Sequence, residues 1–133
     1  MPSFVTDTHA LIWSLRNNSL LGSQAGPIFE ACQRGEITVA IPTICLVEIV
    51  YLEEKGRIPP GMIAHLYAVL QAKTTKLILE PLTADIADTL RRVPRAEVSD
   101  MPDRIIAATA LHLGVPLISR DRRIQLSAVA TVW

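Results

Sequence analysis

Four acidic residues stand out because of what surrounds them. Asp7 is the first charged side chain, and the next is Arg16. Glu48 is the sole charge between Ile41 and Leu52. Asp103 opens a segment whose body, Ile105 to Leu111, is almost wholly apolar, and Asp121 sits in Ser119-Arg120-Asp121-Arg122. A carboxylate in apolar surroundings requires a partner, a proton or a metal, because burying an uncompensated charge is very costly. Carboxylates gathered together raise one another's pKa unless a cation neutralises them. Oxygen-only ligands suit Mg²⁺ or Mn²⁺ rather than zinc. One or two such ions activate water and clamp a phosphodiester for in-line displacement. Each acid also has a plainer reading. Asp7 suits a helix N-cap, Glu48 an ion pair with an arginine, and Asp121 a turn. Asp103 and Asp100, three residues apart, suit a helix N-terminus. Convergence of the four in space is what separates the two sets of readings.

The elements that must position them follow from residue patterning. Ser3 to Thr6 reads as a strand, followed by a helix from about Thr8 to Leu15. A second helix is expected from near Pro27 to Gly35, a suitable C′ residue. Ile37 to Ile41 is β-branched and alternating, which predicts a strand. Pro42 and Thr43 open a helix running to about Glu54, apolar nearly all round and therefore expected to be well buried. Met62, Ile63, Leu66, Val69 and Leu70 share one helical face. Leu77 to Glu80 predicts a strand. Ile86, Ala87 and Leu90 mark a short helix with Thr83 as its candidate N-cap. Asp100 or Ser99 caps a helix with Pro102 in its first turn, ending at Gly114. Val115 to Ser119 and Ala128 to Val132 are the last strands expected. Strands alternating with helices predict an α/β domain with a mostly parallel sheet, whose functional groups gather at the carboxyl ends of the strands. Asp7 and Asp121 both follow strands there.

The chain has 133 residues, half of them apolar, with no repeat, low-complexity tract or linker, so residues 1–133 are read as one domain. The longest polar punctuation, Lys55 to Gly61, is a loop within it. Thirteen basic residues balance thirteen acidic ones. Zero net charge argues against a nucleic-acid binder that works by bulk positive charge. Four acids committed to metal would leave nine against thirteen bases, so contact with a phosphodiester chain is expected to be local, modest and salt-sensitive. No apolar run reaches membrane-span length, no basic n-region opens the chain, and Cys32 and Cys45 lack metal-type spacing. The two cysteines are expected as buried free thiols, with no membrane association and a cytoplasmic setting.

At the acidic residues the sequence resembles the PIN-domain family, especially its VapC-type toxins. The segments are Val5-Thr6-Asp7-Thr8-His9-Ala10-Leu11, Val47-Glu48-Ile49, Asp100-Met101-Pro102-Asp103-Arg104-Ile105-Ile106-Ala107 and Leu117-Ile118-Ser119-Arg120-Asp121, with a terminal Val132-Trp133. The resemblance implies a Rossmann-like three-layer fold with a five-stranded parallel sheet ordered 3-2-1-4-5. It implies a Mg²⁺- or Mn²⁺-dependent endoribonuclease, with one or two ions, that leaves 5′-phosphate and 3′-hydroxyl ends. Carried over by motif, Asp7 and Asp103 would be the firmest ligands. Glu48 and Asp121 would complete the site directly or through water. Ser119, with Thr8 and Asp100, would orient ligands or water. The partners implied are tRNA or another structured RNA, a cognate VapB-like antitoxin and a second copy of the chain.

Among the bases, Arg104, Arg120 and Arg122 lie nearest the acids in sequence and are the candidate RNA contacts. His9 is read as a packing or substrate-edge residue, and His65 and His112 as structural. Six aromatics are too few for an extended base-stacking platform. Two other functions compete with the nuclease. A metal-dependent phosphohydrolase on a similar sheet is one, although the start Asp7-Thr8-His9 lacks a second Asp two residues on. A non-catalytic RNA- or protein-binding module is the other. Glycine-rich nucleotide-binding motifs are absent.

Overall fold

The structure, a computed structural model, describes residues 1–16 and 18–133. Phe4–Thr6 (β1), Val39–Pro42 (β2), Leu77–Glu80 (β3), Leu117–Ile118 (β4) and Thr131–Val132 (β5) form one sheet. All its pairings are parallel and its order is β3-β2-β1-β4-β5, as the resemblance implied. Parallel neighbours cannot be joined by tight turns, so helices make the crossovers. Thr8–Arg16 (α1) and Ala25–Gln33 (α2) link β1 to β2, and Ile44–Glu54 (α3) and Met62–Ala72 (α4) link β2 to β3. Ala84–Thr89 (α5) and Met101–Leu113 (α6) lead to β4, and Arg122–Gln125 (α7) leads to β5.

The chain builds outward from β1 to β3, then returns to place β4 on the other side of β1. Connections therefore leave β1 and β4 in opposite directions, which opens a crevice at their carboxyl ends. Both faces of the sheet are covered, as the unbroken apolar character of its central strands requires. Adjacent residues point to opposite sides: Val39 and Ile118 pack with Phe29 and Cys32, while Ala40 and Leu117 pack with Leu11, Ile49 and Ile106.

Several boundaries differ from the sequence reading. β2 begins at Val39 rather than Ile37, and β5 is confined to Thr131–Val132. The pairing begins only there, although the carbonyl of Thr38 still accepts the Ser3 N–H at 2.9 Å and that of Ala130 the Leu117 N–H at 2.9 Å. α2 begins at Ala25, two residues ahead of Pro27, which its first turn accommodates because no intrahelical N–H is needed there. Asp100, not Ser99, caps α6, and Thr83 caps α5 as expected.

The larger correction concerns α3. Its apolar sequence predicts a well-buried helix, yet Val47 is 49% and Tyr51 59% exposed. Only the row containing Cys45 and Ile49 is fully buried. A helix on the outer layer of a sheet buries one stripe, and the apolar residues on its far side remain in water.

One close approach ties the end of the sheet to α2. The carbonyl oxygen of Trp133 accepts hydrogen bonds from the backbone N–H groups of Gln24 (2.8 Å) and Ala25 (3.0 Å). Gly22 lies so close that a Cβ there would stand 2.4 Å from that same oxygen. Gly22→Ala is therefore expected to destabilise the fold by about 1–3 kcal/mol, the usual cost of overpacking, measured as a lowered urea midpoint at unchanged slope.

Candidate active site

The crevice holds a cavity of about 420 Å³ lined by Asp7, Thr8, His9, Trp13, Glu48, Asp100, Asp103, Arg120 and Asp121. All four acids singled out in the sequence are in this lining, although they come from four separate stretches of chain. Asp7 is delivered by the end of β1, where its backbone N–H still bonds Ile118 of β4 at 3.1 Å. Its Oδ1 accepts the Ala10 N–H at 2.9 Å, capping α1. Asp121 repeats this arrangement beyond β4. Its Oδ1 accepts the N–H of Arg123 at 2.8 Å and that of Ile124 at 3.4 Å, capping α7. Capping and chemistry are thus not rival roles for these residues. Each cap engages Oδ1, and the carboxyl group still lines the cavity.

Asp103 and Asp100 enter from the N-terminus of α6. Asp100 Oδ2 accepts the Asp103 N–H at 3.2 Å, which frees the Asp103 carboxylate from any capping duty. Glu48 reaches in from α3, one turn beyond the buried Cys45. Its partner is not the arginine that the plain reading required. The Thr8 hydroxyl donates to Glu48 Oε1 at 2.5 Å. Ser119, fully buried, receives the Asp121 N–H at 3.1 Å and sits beside Asp7, whose charge it helps to hold. Ser119 and Thr8 therefore both contact the acids through their hydroxyls.

Electrostatics show how crowded the site is. Burial pushes the Asp7 and Glu48 carboxyls above the ordinary carboxylate range, against the lowering effect of Ser119 and Thr8 respectively. Asp103 is pushed up to about 7, by burial first and then by the charges of Asp100, Glu48, Asp121 and Asp7. Among the described residues, none of these carboxylates is in an ion pair; the pairs formed are Arg34–Glu36 and Arg91–Asp88, both exposed. The acids form an all-oxygen, clustered set with His9 as a nearby base but no ion pair among the described residues, which fits a hard divalent cation. The side chains converge on the cavity without closing into a finished cage: among the described residues no three of them stand in ion-holding geometry.

The candidate basic residues divide. Arg120 lines the cavity. Arg122 is exposed and lies outside its lining. Arg104 is a correction. Its guanidinium turns away to donate to the carbonyls of Leu90 (2.8 Å) and Val93 (2.9 and 3.1 Å), closing a 3₁₀ turn. Those carbonyls ending a short helical segment need donors, and Arg104 supplies them. Trp13 is a lining residue that the sequence reading passed over. Its signal was available: it falls four residues after His9, on the same face of α1.

Comparison with known proteins agrees with this geometry. The family model of the PIN domain matches residues 4–130. The chain belongs to the PIN-domain family. Ribonuclease VapC22 of Mycobacterium tuberculosis is 26% identical over the full length of both proteins. Among solved structures, VapBC2 from Rickettsia felis bound to a promoter DNA fragment superposes with a TM-score of 0.71 at 15% identity, covering 97% of this chain and 96% of that one. DNA-bound VapBC from Salmonella typhimurium gives 0.69 at 20% identity, covering 99% and 98%. At these identities the structural likeness speaks to the fold. Within this PIN domain, the sheet order and the location of the cavity at the β1–β4 switch point follow the expected architecture.

The raised acids set the pH dependence of the ion-free protein. A carboxyl whose pKa is higher folded than unfolded binds more protons in the folded state between the two values. Stability must then fall as pH rises from about 4, the unfolded value, through about 7, the folded value of Asp103. In EDTA, the melting temperature is expected to drop between pH 5 and pH 8, and Asp103→Asn is expected to flatten that slope and raise stability at pH 8. Mg²⁺ at about a hundred times its Kd should restore roughly 2.7 kcal/mol at pH 8. A melting temperature indifferent to both pH and Mg²⁺ would contradict the crowding of these acids.

Proposed function

We propose that this PIN domain is a divalent-metal-dependent endoribonuclease and the toxin of a VapBC-type toxin–antitoxin module. The single observation that carries the reading is the convergence of Asp7, Glu48, Asp103 and Asp121 on one cavity with, among the described residues, no ion pair made to them. The full-length relationship to a ribonuclease supports the same substrate class.

Asp7 and Asp103 would hold the ion, with Glu48 and Asp121 completing its shell directly or through water. When bound, Mg²⁺ or Mn²⁺ supplies activation of water and neutralisation of charge on the phosphodiester. The protein's own contribution is placement. Thr8 hydrogen-bonds the Glu48 carboxylate and Ser119 supports the Asp7–Asp121 side of the cavity, which limits how far the oxygens must move to close around an ion. Asp100 holds the first turn of α6 and adds negative charge that favours a cation. A carboxylate-lined pocket repels RNA until it is neutralised, which makes ion binding and substrate binding interdependent.

The partner proposed for the module is a VapB-like antitoxin, supported by the superposition with VapBC complexes. A homodimer is proposed on the exposed apolar side of α3, where Val47, Val50 and Tyr51 face solvent. Among the described residues no helix is long and apolar enough to cross a membrane.

The test uses purified protein, a structured RNA such as tRNA, and Mg²⁺ or Mn²⁺. Cleavage is expected to be abolished by EDTA and to fall by roughly a hundredfold or more in Asp7→Asn and Asp103→Asn with the fold intact by circular dichroism. Undiminished cleavage in those variants would remove the assigned site. Hydrolysis of a small phosphomonoester with no action on RNA would favour a phosphohydrolase instead.

A further inference from the structure

Arg120 occupies an unusual position for an arginine. It lines a cavity that also contains five carboxylates, yet among the described residues it forms no ion pair and its side chain donates no hydrogen bond. Its guanidinium instead lies over the Trp13 ring, 4.6 Å from the centroid. Trp13 is itself held in a row of aromatics, with His9 at 5.8 Å and Trp133 edge-on at 5.7 Å. Trp133 is anchored in turn by the two hydrogen bonds from the start of α2. The contrast with Arg104 is informative, since Arg104 commits its donors to backbone carbonyls.

Stacking on an aromatic ring uses the face of a guanidinium and leaves its edge alone. The five N–H groups of Arg120 therefore stay unspent while its position is fixed. An arginine held in this way does not neutralise the carboxylates beneath it, which would compete with a cation for them. The free edge matches two oxygens of a phosphate bidentately. We infer that Arg120 is a phosphate clamp for RNA at the rim of the acidic cavity, and that Trp13 is the positioning residue that holds it off the carboxylates. The inference rests on the ribonuclease reading and names how that site takes hold of its substrate.

The clamp grips a phosphate next to the scissile one, because the scissile group must lie over the acids. Its contribution falls on binding, with the chemical step left to the carboxylates. Trp13 acts only through Arg120, so the two residues form one functional unit.

The experiment measures binding and cleavage separately. Binding of a fluorescein-labelled tRNA is followed by anisotropy in the Asp103→Asn background with Mg²⁺ at several KCl concentrations, and cleavage of the same RNA is followed in the otherwise native protein. Arg120→Ala is expected to weaken binding about tenfold and to lower the salt slope by about one. It should raise KM with little change in kcat. Trp13→Ala is expected to weaken binding about threefold to fivefold when Arg120 is present and to have no further effect in Arg120→Ala. Trp13→Phe, which retains a ring to stack on, should bind within about twofold of the parent. An unchanged affinity and salt slope in Arg120→Ala, with the native protein still cleaving, would overturn the clamp alone. An equal effect of Trp13→Ala with and without Arg120 would overturn the positioning role. Failure of the native protein to bind or cleave RNA would overturn both the clamp and the ribonuclease reading.

Discussion

Burial and crowding of carboxylates, with burial the larger effect, is the constraint on which this structure turns. Asp7 is almost fully buried, and Asp103 is raised by burial and by four acidic neighbours at once. Such an arrangement lowers the stability of the ion-free protein and persists only because the surrounding fold enforces it. The scaffold supplies that enforcement through neutral contacts. Backbone N–H groups, the Thr8 hydroxyl and the Ser119 hydroxyl hold the acids without adding a positive charge that would compete with a cation.

Sheet topology explains why the acids meet. The reversal of direction between β1 and β4 leaves a gap at their carboxyl ends, and the first residues past both strands carry a carboxylate or lead to one. Small residues bring the third contributor close. Ala107, Ala108 and Ala110 of α6 are completely buried, which lets that helix lie near the sheet with its N-terminus, and hence Asp100 and Asp103, over the gap. Glu48 is carried in by α3, whose inward row of Cys45 and Ile49 packs in the same core as Ile106. The exposed apolar residues on the opposite side of α3 are the surplus of a helix that buries only one stripe here.

Dual use of capping residues is the point at which residue-by-residue reading was least decisive. Asp at a strand-to-helix junction is well explained as a cap, and Asp7 and Asp121 are caps. The local pattern is the same whether or not the second oxygen faces a shared cavity, because capping is decided within three or four residues and convergence is decided by strand order. The partner of Glu48 was illegible for a related reason. A lone charge in an apolar run announces that something must compensate it, but Thr8 is forty residues away in the chain. Arg104 shows the opposite failure. Proximity in sequence to Asp103 suggested a place at the site, while the side chain was drawn to the unsatisfied carbonyls of a turn that packs against α6.

The sequence by itself determined the order of strands and helices, the N-cap at Thr83, a cap at Ser99 or Asp100, and the set of acids that chemistry could use. Those features follow from local periodicity, from capping preferences and from the cost of placing charge among apolar residues, all of which act over a few residues. Local patterning left strand neighbours open, and only the family resemblance implied them; tertiary structure alone decided where α3 remained exposed and which arginine reached the cavity. It also brought Trp13, near the start of the chain, against Arg120 and Trp133 near its other end. Contacts of that kind depend on sheet order and helix packing, and no window along the chain contains both partners.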